Sequence, residues 1–228
     1  MNKTYLVAGA SRGIGFAVAE RLHAEGNRVI SVSRTPSPIG TWIEADLSTR
    51  AGILRVQQAV GDSPLDGLLY MGGTWEDKAF TRDYRFEDCS DEELERVINV
   101  NLLAPIRLTQ VLLPALRRSL NPKIIFMGSL SGCDNTPYRE VANSASKFGL
   151  RGAVHALREE LRPDRIGVTV INPGNVGTPE VLADMQEGTM EDSSPVPMED
   201  LLALIQCVLS LTRHSCVKEI NLPAMGDR

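Results

Sequence analysis

The sequence predicts a single α/β domain, built on a doubly wound parallel sheet of about seven strands with helices on both faces. Three observations carry that prediction. Short apolar runs of strand length alternate with longer stretches at helical period. The first of those runs feeds straight into a glycine-rich turn, GASRGIG, before a helix. Finally, 228 residues with 43% hydrophobic content are enough for one large core. Residues 1–228 read as one domain, without repeat, low-complexity tract or internal boundary.

Taken in order, residues 5–8 are a first strand and 14–23 a helix; 28–32 and 41–45 are the second and third strands. The linker between those two, RTPSPIG, is too short and too proline-rich to be helical. Residues 49–60 are helical, and 67–71 form the fourth strand. A long apolar stripe including Leu94, Val97, Ile98, Leu102 and Leu108 predicts one continuous helix over 92–118. The fifth strand is 123–127, followed by a helix over 144–161 with Leu150, Ala153, Val154, Leu157 and Leu161 on one face. Residues 166–171 are the sixth strand, 201–211 the last helix, and 217–222 close the sheet. Residues 178–200 turn polar, acidic and proline-bearing, which predicts a mobile lid over a substrate.

Charge and composition narrow the function classes. A net charge of −5 argues against a nucleic-acid footprint, which needs a basic face. No uninterrupted apolar run approaches the roughly 18–20 residues that span a bilayer. The N-terminal MNKTYLVAGAS runs at once into a strand, without the architecture of a signal peptide, so a cytoplasmic setting is expected. Cys89, Cys133, Cys207 and Cys216 are far apart and lack metal-ligand spacing; they are expected to be reduced thiols, with no metal site.

Chemistry concentrates at strand ends. In the turn Gly9-Ala10-Ser11-Arg12-Gly13-Ile14-Gly15, glycines let the backbone approach a pyrophosphate whose charge rests on helix N-terminal amides. The second strand ends in Ser33-Arg34, without the acid that would bind a ribose 2′-hydroxyl. Arg34 and Arg12 can instead flank a 2′-phosphate, so NADP(H) is the expected cofactor.

These and later motifs resemble the short-chain dehydrogenase/reductase family along nearly the whole chain. The turn matches that family's Gly-xxx-Gly-x-Gly pattern, although Ala8 stands where threonine is common. Asp46-Leu47 looks like its adenine-contacting acid. Tyr70-Met71-Gly72-Gly73 stands in place of Asn-Asn-Ala-Gly and keeps only Gly73. Asn172-Pro173-Gly174, with Val176 and Thr178, resembles the loop on the nicotinamide side. The resemblance implies a Rossmann-like fold, a small-molecule substrate, and a homodimer or homotetramer formed through the helices at 92–118 and 144–161.

It also implies an Asn-Ser-Tyr-Lys active site. Asn101 falls on the expected helix position. If that helix is continuous, Pro105 offers no N–H to the carbonyl of residue 101, which is then free to hold a water. Ser129 matches the serine that hydrogen-bonds a substrate carbonyl, with Ser131 a weaker substitute. The Tyr-xxx-Lys motif falls on Asn143 and Lys147: the lysine is present and the tyrosine is not. Lys147 shares a helical face with residue 143 and can reach ribose hydroxyls. The amide of Asn143 can hydrogen-bond but cannot exchange a proton near neutral pH.

Losing a positioned general acid typically costs about 10²–10⁴ in rate. Four explanations stay open. The substrate needs no phenolic acid at this point, as with a conjugated enone whose enolate rests near Ser129 and Asn143. Another group, Tyr138 or Lys147 through water, supplies the proton. The chain binds NADP(H) silently in a regulatory or scaffold role. Or Asn143 is an engineered replacement of tyrosine in an ordinary carbonyl reductase. Among other residues, His155, His23 and His214 read as packed or surface groups. Trp75, Phe80 and Tyr84 line a cleft wall or pack their own loop. Asp184, Glu187, Glu191 and Asp192 would repel an anionic substrate only if they face inward.

Overall fold

A computed structural model describes residues 2–134, 138–186 and 194–225. Seven strands form one sheet: β1 (Thr4–Ala8), β2 (Arg28–Ser33), β3 (Thr41–Glu44), β4 (Gly67–Tyr70), β5 (Lys123–Met127), β6 (Gly167–Pro173) and β7 (Glu219–Leu222). Their order is β3-β2-β1-β4-β5-β6-β7, and every neighbouring pair is parallel. From β1 the chain builds outward to β3, then returns to place β4 on the other side of β1. The crevice beyond the carboxyl ends of β1 and β4 is therefore the topological switch point, where such sheets bind ligands.

Strand alternation divides the core into two layers. Leu6 and Ala8 of β1 and Ile124 and Phe126 of β5 face α2 (Arg50–Val60), α4 (Ala104–Leu116) and α5 (Val141–Glu160). Tyr5, Val7, Ile125 and Met127 face the other way, onto α1 (Gly13–Ala24) and α7 (Met198–Ser210). Both faces of the sheet are thus covered, which is why its strands read as near-continuous apolar runs.

Three sequence expectations need correction. The helix expected over 92–118 is not one continuous α-helix: α3 (Asp91–Ile98) runs into a π-helical segment, Asn99–Leu103, before α4. The Ala104 N–H bonds the Asn99 carbonyl five residues back. Pro105 therefore lies in the first turn of a fresh α segment, where a missing N–H matters least. Its missing N–H no longer singles out the Asn101 carbonyl as a water site. By length and composition the Asp91–Leu116 stretch could cross a bilayer, with mean hydropathy 1.3 in its most apolar window. In this fold Val97, Leu108, Leu112 and Leu116 are buried in the domain's own core.

The helix expected over 144–161 begins earlier, at Val141, for a reason found at the active site. The expected lid at 178–200 contains α6 (Pro179–Gln186) and the start of α7. Val196 pairs with Val176 in an isolated parallel bridge outside the seven strands, just before α7 begins. Asp184 lies exposed on α6, whereas Glu187, Glu191 and Asp192 fall outside the described residues.

Candidate active site

The glycine turn is forced by close approach. Gly9 has φ +85°, and a Cβ on it would lie 2.6 Å from the Gly72 Cα; one on Gly15 would lie 2.2 Å from the Gly9 carbonyl oxygen. Gly13, at φ +55°, is also left-handed. The turn thus packs backbone on backbone against the end of β4. Arg12 occupies the N-cap of α1 without a side-chain cap bond, so the first-turn amides are not capped from within the turn. Ser11 is half-buried, Arg12 is exposed and Ile14 packs toward the α1 layer.

Arg34 stands exposed on the rim of a cavity of about 250 Å³, lined also by Glu44, Asp46, Thr49 and Arg55. Its neighbour Ser33 is differently engaged. The Ser33 hydroxyl donates to the Thr35 carbonyl (2.7 Å) and accepts from the Trp42 indole (3.2 Å). Of that pair, Arg34 is the group open to a ligand. Asp46 accepts from the Ser48 N–H and O–H, and Leu47 packs into the core. Pro173 ends β6, and the Gly174 N–H donates to the Leu222 carbonyl. Val176 is buried, and Thr178 caps α6 by accepting from the Val181 N–H.

At the crevice floor the structure brings Asn101, Ser129, Asn143 and Lys147 into one polar cluster. Asn101 is buried, and the backbone of Thr74 holds it at both ends of its amide. Oδ1 accepts from the Thr74 N–H (2.9 Å), and Nδ2 donates to the Thr74 carbonyl (2.7 Å). Nδ2 also faces Ser146 Oγ (3.0 Å) and Asn143 Oδ1 (3.5 Å). Asn143 Nδ2 donates to Ser131 Oγ (3.1 Å), which lies 2.9 Å from Ser129 Oγ. A Cβ on Gly73 would lie 3.6 Å from Lys147 Nζ and 3.7 Å from Asn101 Oδ1, so this backbone stands next to both groups.

Lys147 is buried and donates to the Met127 carbonyl at 3.0 Å. Burial pushes its pKa down to about 8, because the charged form loses its water. Tyr70 is buried beneath the cluster and donates to the Val100 carbonyl (2.7 Å), bracing the π segment beside Asn101. Burial, with a smaller effect of Asp46, holds that phenol above its usual pKa, so it stays protonated.

Sequence reasoning missed two buried carboxylates. Glu76 is 1% exposed and accepts from the N–H groups of Ala142 (2.7 Å) and Asn143 (3.2 Å). It caps α5 from a distant loop, using negative charge where the helix end is positive, and this is why α5 starts early. Glu140, also buried, accepts from the Phe80 N–H at 2.8 Å. Tyr84 is buried and its hydroxyl accepts from the Val141 N–H, so it packs the loop and does not line a cleft. Trp75 and Phe80 are exposed, edge to face at 5.9 Å, and Tyr138 continues the row at 6.1 Å from Phe80. His155 is largely exposed, 3.6 Å from Glu219 and away from the cluster.

A glycine cradle at the switch point and an Asn-Ser-Asn-Lys cluster beside it define a nucleotide-binding α/β protein. Residues 3–188 match the family described as short chain dehydrogenase, and the chain belongs to that family of oxidoreductases. It is 30% identical over 182 residues to the 3-oxoacyl-[acyl-carrier-protein] reductase MabA of Mycobacterium tuberculosis, covering 78% of this chain and 71% of that one. It is 32% identical over 213 residues to the rhamnolipids biosynthesis 3-oxoacyl-[acyl-carrier-protein] reductase of Pseudomonas aeruginosa, covering 85% and 81%. Among solved structures, L-sorbose reductase from Gluconobacter frateurii, complexed with NADPH and L-sorbose, superposes with TM-score 0.83 at 21% identity. That match covers 99% of this chain and 96% of the other, and shows the shared fold.

Proposed function

We propose that this chain is an NADP(H)-dependent oxidoreductase acting on a small carbonyl or conjugated enone compound through an atypical Asn101-Ser129-Asn143-Lys147 site. The observation that carries the reading is the convergence of these side chains beside a glycine cradle that no Cβ could enter. The cradle fits a dinucleotide. The α1 amides would hold the pyrophosphate, and Arg34 and Arg12 would flank the 2′-phosphate. Lys147 would hold ribose hydroxyls. When bound, the nicotinamide supplies or accepts the hydride.

The chain's own groups do the rest. Ser129 offers a hydroxyl to the substrate oxygen, and Lys147 adds positive charge while protonated. Asn143 cannot deliver a proton, so the oxygen keeps its developing charge, which suits an enone better than an isolated ketone. The reductase names of the two curated relatives favour carbonyl chemistry. A groove lined by Ile106, Ala153, Ala156 and Leu157 on α4 and α5 suits a homodimer or homotetramer.

NADPH oxidation over a panel of ketones, aldehydes and enones tests the proposal, with turnover of at least one enone expected. Asn143→Tyr should raise ketone reduction at least roughly tenfold. Cofactor binding with no turnover on any substrate would favour a silent NADP(H)-binding protein, the reading that the absent phenol also allows.

A further inference from the structure

The polar atoms of the cluster can be followed as a chain in which each group fixes the next one's direction. It starts from backbone, whose donor and acceptor cannot be exchanged. The Thr74 N–H must donate to Asn101 Oδ1, and the Thr74 carbonyl must accept from Asn101 Nδ2. Asn101 is therefore oriented without ambiguity, and its Nδ2 faces Asn143. The two Nδ2 protons go to the Thr74 carbonyl and to Ser146 Oγ (3.0 Å), so the 3.5 Å contact acts through charge alone: Asn143 presents its oxygen there, since two amide nitrogens would repel. Asn143 then presents Nδ2 to Ser131, and Ser131 must accept.

Ser131 is 2% exposed, and its proton meets a single acceptor among the described contacts, Ser129 Oγ at 2.9 Å. The Ser131 N–H donates to that same oxygen at 3.1 Å. Both lone pairs of Ser129 are then filled, and the one capacity left to it is its own O–H. Ser129 is half-buried at the crevice. In the chain, Trp75 follows Thr74, bonded to Asn101, and precedes Glu76, bonded to the backbone of Asn143. Its exposed ring begins the aromatic row with Phe80 and Tyr138.

We infer that Asn143 and Ser131 are positioning residues that make Ser129 a one-way hydrogen-bond donor, so that the site takes an oxyanion such as an enolate or phenolate. A substrate hydroxyl can accept from Ser129 but finds no acceptor there for its own proton. An oxygen anion, which only accepts, receives a fixed donor. The inference rests on the oxidoreductase reading of the site, but a binding measurement tests it without turnover.

The probe is 4-nitrophenol, whose ionised form is read by its colour. It is titrated with pH in the presence of the full-length protein, with and without NADP+. The wild type should favour the phenolate at least roughly tenfold, lowering the apparent pKa of the bound probe by about one pH unit or more. Ser131→Ala should lose about tenfold of that preference, since Ser129 becomes free to rotate. Asn143→Asp keeps the shape of residue 143 but makes it an acceptor from Ser131, which reverses the chain and should abolish the preference. The readout is a ratio of anion to neutral binding, so partial unfolding of a variant does not alter it. Equal binding of phenol and phenolate by the wild type, or an unchanged ratio in both variants, overturns the inference. NADPH binding is followed on the same samples. Phenolate preference without NADPH binding would support the donor chain while sinking the oxidoreductase reading. NADPH binding without the preference would sink the donor chain alone.

Discussion

Lys147 offers the sharpest quantitative prediction. The group is buried, and removal from water lowers its pKa from 10.5 to about 8. Below about pH 8 the lysine is charged in both the folded and unfolded chain, and the folded state bears the full desolvation penalty. Between about 8 and 10.5 the unfolded chain holds a proton that the folded chain does not, so raising the pH favours folding. Each pH unit in that window is worth ~1.4 kcal/mol, so the penalty relieved across it is about 3 kcal/mol. Lys147→Met keeps side-chain length and removes the titration. Urea unfolding of both proteins at pH 7 and pH 10 isolates the effect, because every other titrating group cancels in the difference. The stability of the wild type relative to the variant should rise by about 2–3 kcal/mol between those pH values. A difference that stays constant within about 1 kcal/mol would refute the assignment of a desolvated ammonium at this position. The same titration bears on function: positive charge beside the crevice fades as pH rises through about 8, and cofactor binding should weaken with it.

Glu76→Gln keeps the shape of the distant cap but removes its charge. It should lower stability by about 1–2 kcal/mol, read by urea unfolding, with fraying of the first turn of α5 seen in amide exchange. Arg34→Asp should shift binding preference from NADPH toward NADH by at least roughly tenfold, measured by calorimetry; no shift would defeat the 2′-phosphate assignment. Asn143→Tyr should lower the unfolding free energy by about 1–3 kcal/mol even as it raises ketone reduction, because the ring must displace a packed hydrogen-bond partner.

The strands are legible in the sequence because a sheet covered on both faces writes itself as apolar runs bounded by turns. The run at Lys123–Met127 matches its strand to the residue, and the edge strands agree within two residues. The glycine turn is legible for the same reason, since Gly9 and Gly15 answer to contacts that allow no side chain. What escapes depends on partners remote in sequence. The break at Asn99–Leu103 is invisible to periodicity, because one widened turn rotates the apolar stripe too little to erase it. The start of α5 cannot be found locally: Glu140, its N-cap residue, spends its side chain on Phe80, while the capping carboxylate comes from Glu76. Nothing near Glu76 in sequence marks it as a cap. Ser131 reads from the sequence only as a substitute for Ser129, although its place between Ser129 and Asn143 gives it a separate task.

Asn143 has a neighbour at each end of its side-chain amide. A tyrosine pared back to asparagine inside a site still built for the phenol would leave a void and stranded polar atoms, each buried unpaired group costing about 1–3 kcal/mol. Here the residue is 3% exposed and all its polar groups are engaged. Its N–H meets Glu76, its carbonyl accepts from Ser146, its amide nitrogen meets Ser131, and its amide oxygen faces Asn101. Of these contacts only those with Ser131 and Asn101 use the side-chain amide; Glu76 and Ser146 meet the backbone of residue 143, whatever side chain stands there.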